Sequence, residues 1–406
     1  MNKLIDANYL YDAGTLAIKS SNFKYATHMY EMNHLIETAE LQRDLKSGEY
    51  VPQPGSKFPI QERGKLRYIT SNVMRDKTVN HVMCDEIVMP AITPHLIHDN
   101  GASQKGKGTS FTRRRFEEHL HSYYMEHKSN EGYVLLLDFS GYYANILHSN
   151  CKAVLHKMIL PTLQTEEERE LVTGIIDNIF RSYETDVSYL TDEQIEQLYV
   201  SKVDPLMNMN VPGKLLTGEK MLKKGVDIGN QLSQSIGIVY PYRIDNYVKI
   251  VKGCKRYGRY TDDSYVIHHD KEFLKEVLAG IQSIAQGLGL IINMKKTRIV
   301  KLSSFFRFLQ VGYSLTDTGR VIKKINPKNV TREKRKLKAY KRLLDAGKIE
   351  YSDIENSFKS WLGTHWKLMS RIQIRNLKNL YYELFGKVIT WNKKKNSRLS
   401  WLMEHA

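Results

Sequence analysis

The chain has 406 residues, with 61 Lys and Arg against 44 Asp and Glu and a net charge of +17. That is long enough for two or three lobes with cores of their own and basic enough to point to a polyanionic partner. No run approaches the ~18 apolar residues of a membrane-spanning helix, the first residues carry no apolar segment of secretory type, and Cys84, Cys151 and Cys254 are too scattered for zinc or a disulfide framework, so reduced thiols in a cytoplasmic protein are expected.

Residues 1–50 read as helical. Met32, Leu35, Ile36 and Ala39 recur at helical spacing within 27–45, and Pro52 and Pro54 close the segment. Residues 61–70 read as a hairpin with Gly64 near its turn and Lys65 and Arg67 on one strand face. Such a pair can hold a triphosphate, Arg as a fork and Lys as a point charge, or be merely an exposed basic strand. A helix is expected over 75–83, with Val79, Val82 and Met83 inward.

Residues 100–109 form a glycine-rich stretch with Lys105 and Lys107. Its spacing is not that of a P-loop, but a basic flexible loop can approach a nucleic-acid backbone. The helix expected over 111–127 carries Arg113, Arg114 and Arg115 on its first turn, where cations oppose the helix dipole. A phosphate partner and a solvated charged turn both fit that placement.

Val134 to Leu137 is a continuous apolar run, as in a buried strand, and it ends in Asp138. After Phe139-Ser-Gly-Tyr-Tyr143 comes helical spacing at Ile146, Leu147 and Leu155. Residues 156–217 read as a structural insertion. A loop over 223–234, containing Ile228, Gly229 and Ser233, leads into a helix with Ile236, Val239, Tyr240 and Ile244. Gly229 would let the backbone approach a neighbouring group closely, and Ser233 would cap the helix or hydrogen-bond nearby.

Arg259-Tyr-Thr-Asp-Asp-Ser-Tyr-Val-Ile267 reads as two short strands with Asp262 and Asp263 at the tip. Adjacent carboxylates repel unless a cation neutralises them, and hard oxygens suit Mg²⁺; an Asp-Asp turn in solvent is the plainer reading. Joined by Asp138, three carboxylates at a sheet end would hold two metals roughly 3.5–4 Å apart, as in-line phosphoryl transfer requires. Lys295 and Lys296 follow the glycines at 287 and 289, and Phe308-Leu309-Gln-Val-Gly312-Tyr313 comes next. From residue 321 the texture turns basic and helical, with Lys334, Arg335 and Lys338 in the first of three helices and Ala339, Leu343 and Leu344 as its inward stripe. Trp361 and Trp366 read as core residues.

Taken in order, Asp138-Phe-Ser-Gly-Tyr-Tyr, Ile228-Gly-Asn-Gln-Leu-Ser-Gln234, Tyr260-Thr-Asp-Asp, Asn293-Met-Lys-Lys-Thr297 and Phe308 to Tyr313 resemble the palm and primer-grip motifs of reverse transcriptases, over about residues 60–315. The resemblance implies an α+β right-hand polymerase: an N-terminal region and fingers over 1–130, a palm of antiparallel sheet backed by helices over 131–325, and an α-helical basic thumb over 326–406. It implies RNA-directed DNA polymerase activity with two Mg²⁺ ions (Mn²⁺ as substitute) at Asp138, Asp262 and Asp263. Lys296 would be the proton donor to pyrophosphate. Lys65, Arg67, Tyr143, Ile228, Gly229 and Ser233 would form the nucleotide pocket, with Tyr143, rather than its neighbour Tyr142, against the ribose. Phe308, Leu309, Gly312 and Tyr313 would grip the primer, and Lys105, Lys107, Arg113, Lys334, Arg335 and Lys338 would meet nucleic-acid backbone.

The aliphatic-Gly-Asn-x-x-Ser-Gln pattern around Gly229 resembles the enzymes of bacterial and phage diversity-generating retroelements, which copy a template RNA with errors at adenines and work with a small accessory protein. Ile228 stands where faithful relatives carry Gln, and Thr261 departs from the usual Met, Val or Ala. The expected partners are template RNA, a primer–cDNA duplex and dNTPs, in the cytoplasm of a bacterial host and without a membrane. A retron-like or phage-defence enzyme copying its own noncoding RNA is the alternative. A catalytically silent RNA-binding protein is opposed by the three intact acids.

Overall fold

The structure is a computed structural model that describes residues 3–21, 23–62, 64–204 and 206–389. The chain divides into two compact units, Met1–His119 with Tyr133–Ile299, and Leu120–Gly132 with Val300–Ala406.

In the first unit the apolar run at 133–137 does form a buried strand. Tyr133–Leu137 pairs antiparallel with Asp263–His268, from Tyr133↔His268 to Leu137↔Ser264. Asp263–His268 pairs in turn with Tyr257–Tyr260. Helices back this sheet: His148–Ile159, Glu166–Ser182, Gln231–Val239 and Lys271–Gly287. Their apolar stripes meet the strands in one continuous core that includes Leu135, Leu155, Ile176, Ile236 and Val277. Cys84, Cys151 and Cys254 are all free and buried in it. A separate hairpin, Ser56–Glu62 with Lys65–Ser71, turns at Gly64.

The N-terminal region is helical, but its buried face differs from the expected one. Asn33, at φ −106° and ψ 15°, interrupts the helix between Tyr25–Met32 and His34–Lys46. The second helix buries His34, Thr38, Leu41 and Leu45, and His34 stacks on Tyr11 at 4.1 Å. Met32, Leu35 and Ile36 face water, Met32 being 79% exposed. Two stripes at helical spacing compete here, and the one that finds packing partners lies inward although two of its members are polar.

In the second unit Phe306–Phe308, Val311–Leu315 and Val321–Ile325 form an antiparallel sheet. Pro327–Asp345, Tyr351–His365 and Arg371–Phe385 enclose a small core of Leu337, Ile354, Phe358, Leu362, Leu377 and Tyr381. Trp361 and Trp366 pack against it, as does Leu344, whereas Leu343 is exposed and Ala339 lies outside the core. The inward stripe of this helix is Val330, Leu337, Tyr340 and Leu344, a shift of register from the expected one. The Trp391-Asn-Lys-Lys-Lys segment lies outside the described residues.

Candidate active site

The acidic hairpin is tighter than its sequence suggests. Tyr260 pairs with Asp263, so the turn consists of Thr261 and Asp262 alone, with Asp263 already in the strand. Thr261 has φ +54°, a left-handed conformation that strains a β-branched residue. What holds it is Arg259, a fully buried arginine. Its Nη1 donates to the Thr261 carbonyl at 3.1 Å and its Nη2 to the Ile238 carbonyl at 2.8 Å. The same guanidinium grips Asp245 through Nε at 2.9 Å and Nη2 at 2.6 Å, and Tyr257 donates its hydroxyl to Asp245 at 2.6 Å. A planar fork on a carboxylate fixes orientation as well as charge. Neither Arg259 nor Asp245 stood out in the sequence.

The central strand ends its ladder at Leu137↔Ser264, so Asp138 follows at the level of Asp263. Lys296 Nζ lies 2.7 and 2.8 Å from the two Asp138 oxygens, and Asn293 Nδ2 donates to Oδ2 at 3.0 Å. The Asn293 backbone N–H donates to the Asp138 carbonyl at 2.8 Å, and the Asp138 N–H donates to Thr297 Oγ1 at 3.4 Å. Lys296 rather than Lys295 therefore faces the acid. Burial pushes the Asp262 carboxyl above its ordinary range, and the nearby Asp138 charge adds to this; a backbone hydrogen bond, Lys296 and Arg67 oppose it. Asp138, Asp262, Lys296 and Arg67 thus share one electrostatic field.

The turn after Asp138 divides two adjacent tyrosines. Tyr142 is buried, and its hydroxyl donates to the Gly237 carbonyl at 2.7 Å. Tyr143 is half-buried, and burial with the Asp262 charge pushes its hydroxyl up to about 12. Its ring lies over Gly237, where a Cβ would come within 2.5 Å of the Tyr143 oxygen.

The loop before the Gln231–Val239 helix has a different task from the one its glycine suggests. Thr70 N–H donates to the Ile228 carbonyl at 3.0 Å. Gly229, at φ +126°, leaves no room for a Cβ, which would meet Ile69 Cγ2 at 2.6 Å and the Thr70 oxygen at 2.9 Å. The close approach is therefore to the Lys65–Ser71 strand. Asn230 is the helix cap, accepting from Ser233 N–H at 2.7 Å. Ser233 is buried, with its hydroxyl 3.4 Å from that of Tyr183, so it neither caps the helix nor reaches toward solvent. Ile228 stays half-buried and Arg67 exposed; the Lys65 side chain lies outside the described part.

Of the expected backbone contacts, Lys105 is exposed, but Lys107 donates to the carbonyls of His98 at 2.9 Å and Asn100 at 3.2 Å and is tied to its own loop. The helix there starts at Thr109, which moves Arg113–Arg115 to the second turn. Arg115 holds the buried Asp99 at 2.6 Å, and Arg113 is half-buried. In the second unit Lys334, Arg335 and Lys338 are exposed. Phe308 and Tyr313 are buried in their own hairpin. Its turn, Leu309 at φ +43° and Gln310 at φ +70°, is strained, and at Gly312 a Cβ would strike the Phe305 ring at 2.1 Å.

Among the described residues no group of three or more His, Cys, Asp or Glu side chains is gathered as a ready metal site; Asp138 is paired with Lys296 instead. The donor chemistry nonetheless suits a hard divalent cation. Oxygen-only ligands stand at adjoining strand ends, one carboxyl is raised by burial beside a like charge, and a cation already neutralises its neighbour.

Among solved structures, the chain is similar to telomerase from Candida albicans in complex with a TWJ fragment of telomeric RNA, at 12% identity and a TM-score of 0.44, covering 90% of this chain and 66% of that one. Two apo telomerase structures from Candida tropicalis, one truncated from its C-terminal domain, match at 13% identity and a TM-score of 0.45. They cover 72% and 82% of this chain and 60% and 64% of theirs. No curated protein matches the chain. The family model described as reverse transcriptase (RNA-dependent DNA polymerase) matches residues 51–313, well over half of the sequence, and the chain belongs to that family.

Proposed function

We propose that the protein copies a template RNA into cDNA by nucleotidyl transfer at Asp138, Asp262 and Asp263, and that it is the error-prone enzyme of a diversity-generating retroelement. The observation that carries the first part is the register Leu137↔Ser264, which sets Asp138 beside the Thr261-Asp262 turn. Two divalent ions bound by these acids, Mg²⁺ or Mn²⁺ in its place, would activate the primer 3′-hydroxyl and neutralise the triphosphate. Asp138 and Asp262 would be the direct ligands.

The chain's own residues do the rest. Arg67 and Lys65 draw the triphosphate in, and the Tyr143 ring closes the space at the ribose 2′ position. Lys296, which neutralises Asp138 in this structure, would be the proton donor to the departing pyrophosphate, with Asp138 left to hold a metal ion. Leu309 would offer the primer an apolar edge on the hairpin that Gly312 lets close, while Lys334, Arg335 and Lys338 offer the duplex positive charge. Fingers, palm and thumb correspond to residues 1–130, 131–325 and 326–406. Ile228 supports the error-prone reading, since an aliphatic side chain at the nascent pair discriminates by shape alone. A small accessory protein and a bacterial cytoplasm belong to the same reading.

Primer extension on an RNA template tests the activity: wild type should extend, and Asp262→Ala should lose at least about 10³-fold in rate. Extension by Asp262→Ala at the wild-type rate would end the assignment of the acids. For the subtype, Ile228→Gln should lower misincorporation opposite template adenine severalfold, read by sequencing the products.

A further inference from the structure

The segment 156–217 reads in the sequence as a structural insertion, yet part of it lies against the turn between Asp138 and Tyr143. A Cβ built on Gly141, at φ +57°, would lie 3.3 Å from Lys202 Cε and 3.5 Å from Lys202 Cγ. The stem of this lysine therefore runs along the turn. Lys202 is exposed, and among the described residues it makes no ion pair or hydrogen bond.

Both neighbours of Lys202 are anchored by buried polar groups. On one side the Ser201 carbonyl accepts from Lys224 Nζ at 3.0 Å. Lys224 is itself buried and also donates to the Leu198 and Tyr199 carbonyls, each at 2.9 Å, closing the end of the Asp192–Val200 helix. On the other side the Val203 N–H donates to Asn145 Oδ1 at 3.4 Å. The Nδ2 of that fully buried asparagine donates to the Ser140 carbonyl at 2.8 Å and the Gly141 carbonyl at 2.9 Å. One amide thus ties the insertion to the Asp138–Tyr143 turn. Beyond it the same segment reaches the fingers strand, where Tyr68, next to Arg67, donates to Met209 Sδ at 3.6 Å.

We infer that Lys202 is a phosphate ligand of the incoming nucleotide, contributed by the insertion. The inference rests on the proposed polymerase function. A nucleotide with its sugar on Tyr143 and its α-phosphorus at Asp138 and Asp262 would carry its remaining phosphates past the turn between Asp138 and Tyr143. Among the described residues, Lys202 is a cation that makes no ion pair or hydrogen bond and lies along that turn. A lysine head on a short anchored backbone is a point charge suited to phosphate oxygens, and anchoring both flanks lowers the entropy lost when it is engaged.

The experiment compares wild type, Lys202→Ala and Lys202→Arg on one defined RNA template and DNA primer. It reads KM for dNTP, kcat, primer–template Kd by fluorescence anisotropy, and inhibition by inorganic tripolyphosphate. Lys202→Ala should raise KM for dNTP roughly tenfold, with the effect on KM exceeding that on kcat. Tripolyphosphate inhibition should weaken in parallel, and Lys202→Arg should recover most of both. An unchanged KM overturns the inference. So does a loss of primer–template affinity in its place, which would assign Lys202 to the nucleic-acid backbone. A rise in KM that Arg does not recover, with a lowered melting temperature, overturns it in favour of a structural role. If wild type makes no DNA, the polymerase reading fails separately; direct binding of tripolyphosphate to wild type and Lys202→Ala then still decides whether Lys202 holds phosphate.

Discussion

Two adjacent tyrosines show how much a single residue's placement decides. Tyr142 and Tyr143 are equivalent in composition and one position apart, and strand alternation does not extend into a turn. The structure separates them by burial and by partner: Tyr142 spends its hydroxyl on the Gly237 carbonyl, while Tyr143 keeps a half-exposed ring beside Asp262. If Tyr143 excludes the ribose 2′-hydroxyl by bulk, Tyr143→Ala should admit ribonucleotides. Its kcat/KM ratio for dNTP over rNTP should fall by about 10²-fold or more, whereas Tyr143→Phe should keep wild-type discrimination. Lys295 and Lys296 pose the same problem, and there the 2.7 and 2.8 Å contacts to Asp138 select Lys296. Residue types alone left each choice as a pair; the motif resemblance chose Tyr143 and Lys296, and the structure adds what physically distinguishes each from its neighbour.

At the scale of elements, the strands and helices that carry the motifs were legible because their patterns are local. The apolar run at 134–137 describes one strand, and the alternation at 259–267 describes two with a turn between them. What was not legible were the long-range partners. Arg259 lies in the buried Tyr257–Tyr260 strand, and only the folded chain shows that Asp245, on the Tyr242–Asn246 helix, receives it. The pair is 1% exposed on both sides, and it joins the strained Thr261 carbonyl to the core. Removing one partner leaves the other charge buried and alone, so Asp245→Ala should cost about 3–5 kcal/mol of unfolding free energy, measured by denaturant titration. Replacing both with apolar residues of similar volume should cost far less. The Thr27 to Leu45 stretch failed for a different reason. Its sequence offers two faces at helical spacing, and neighbours that hydrophobicity alone does not reveal, such as Tyr11 against His34, decide between them.

For the whole molecule, the order of motifs and the +17 charge were sufficient to reach the family, which the match over residues 51–313 supports independently. The insertion was opaque because its relevant feature is a contact across about sixty residues of sequence, from Gly141 to Lys202, mediated by one asparagine. The buried thiols have a practical consequence. Cys84, Cys151 and Cys254 are sealed in the core, and burial pushes each thiol above its ordinary pKa, Cys254 to about 11, so little thiolate is available to an electrophile. The native chain is thus close to inert toward maleimides. A single cysteine introduced at exposed Leu66 would take a fluorophore with little background, giving a reporter on the hairpin that carries Arg67 while dNTP is added.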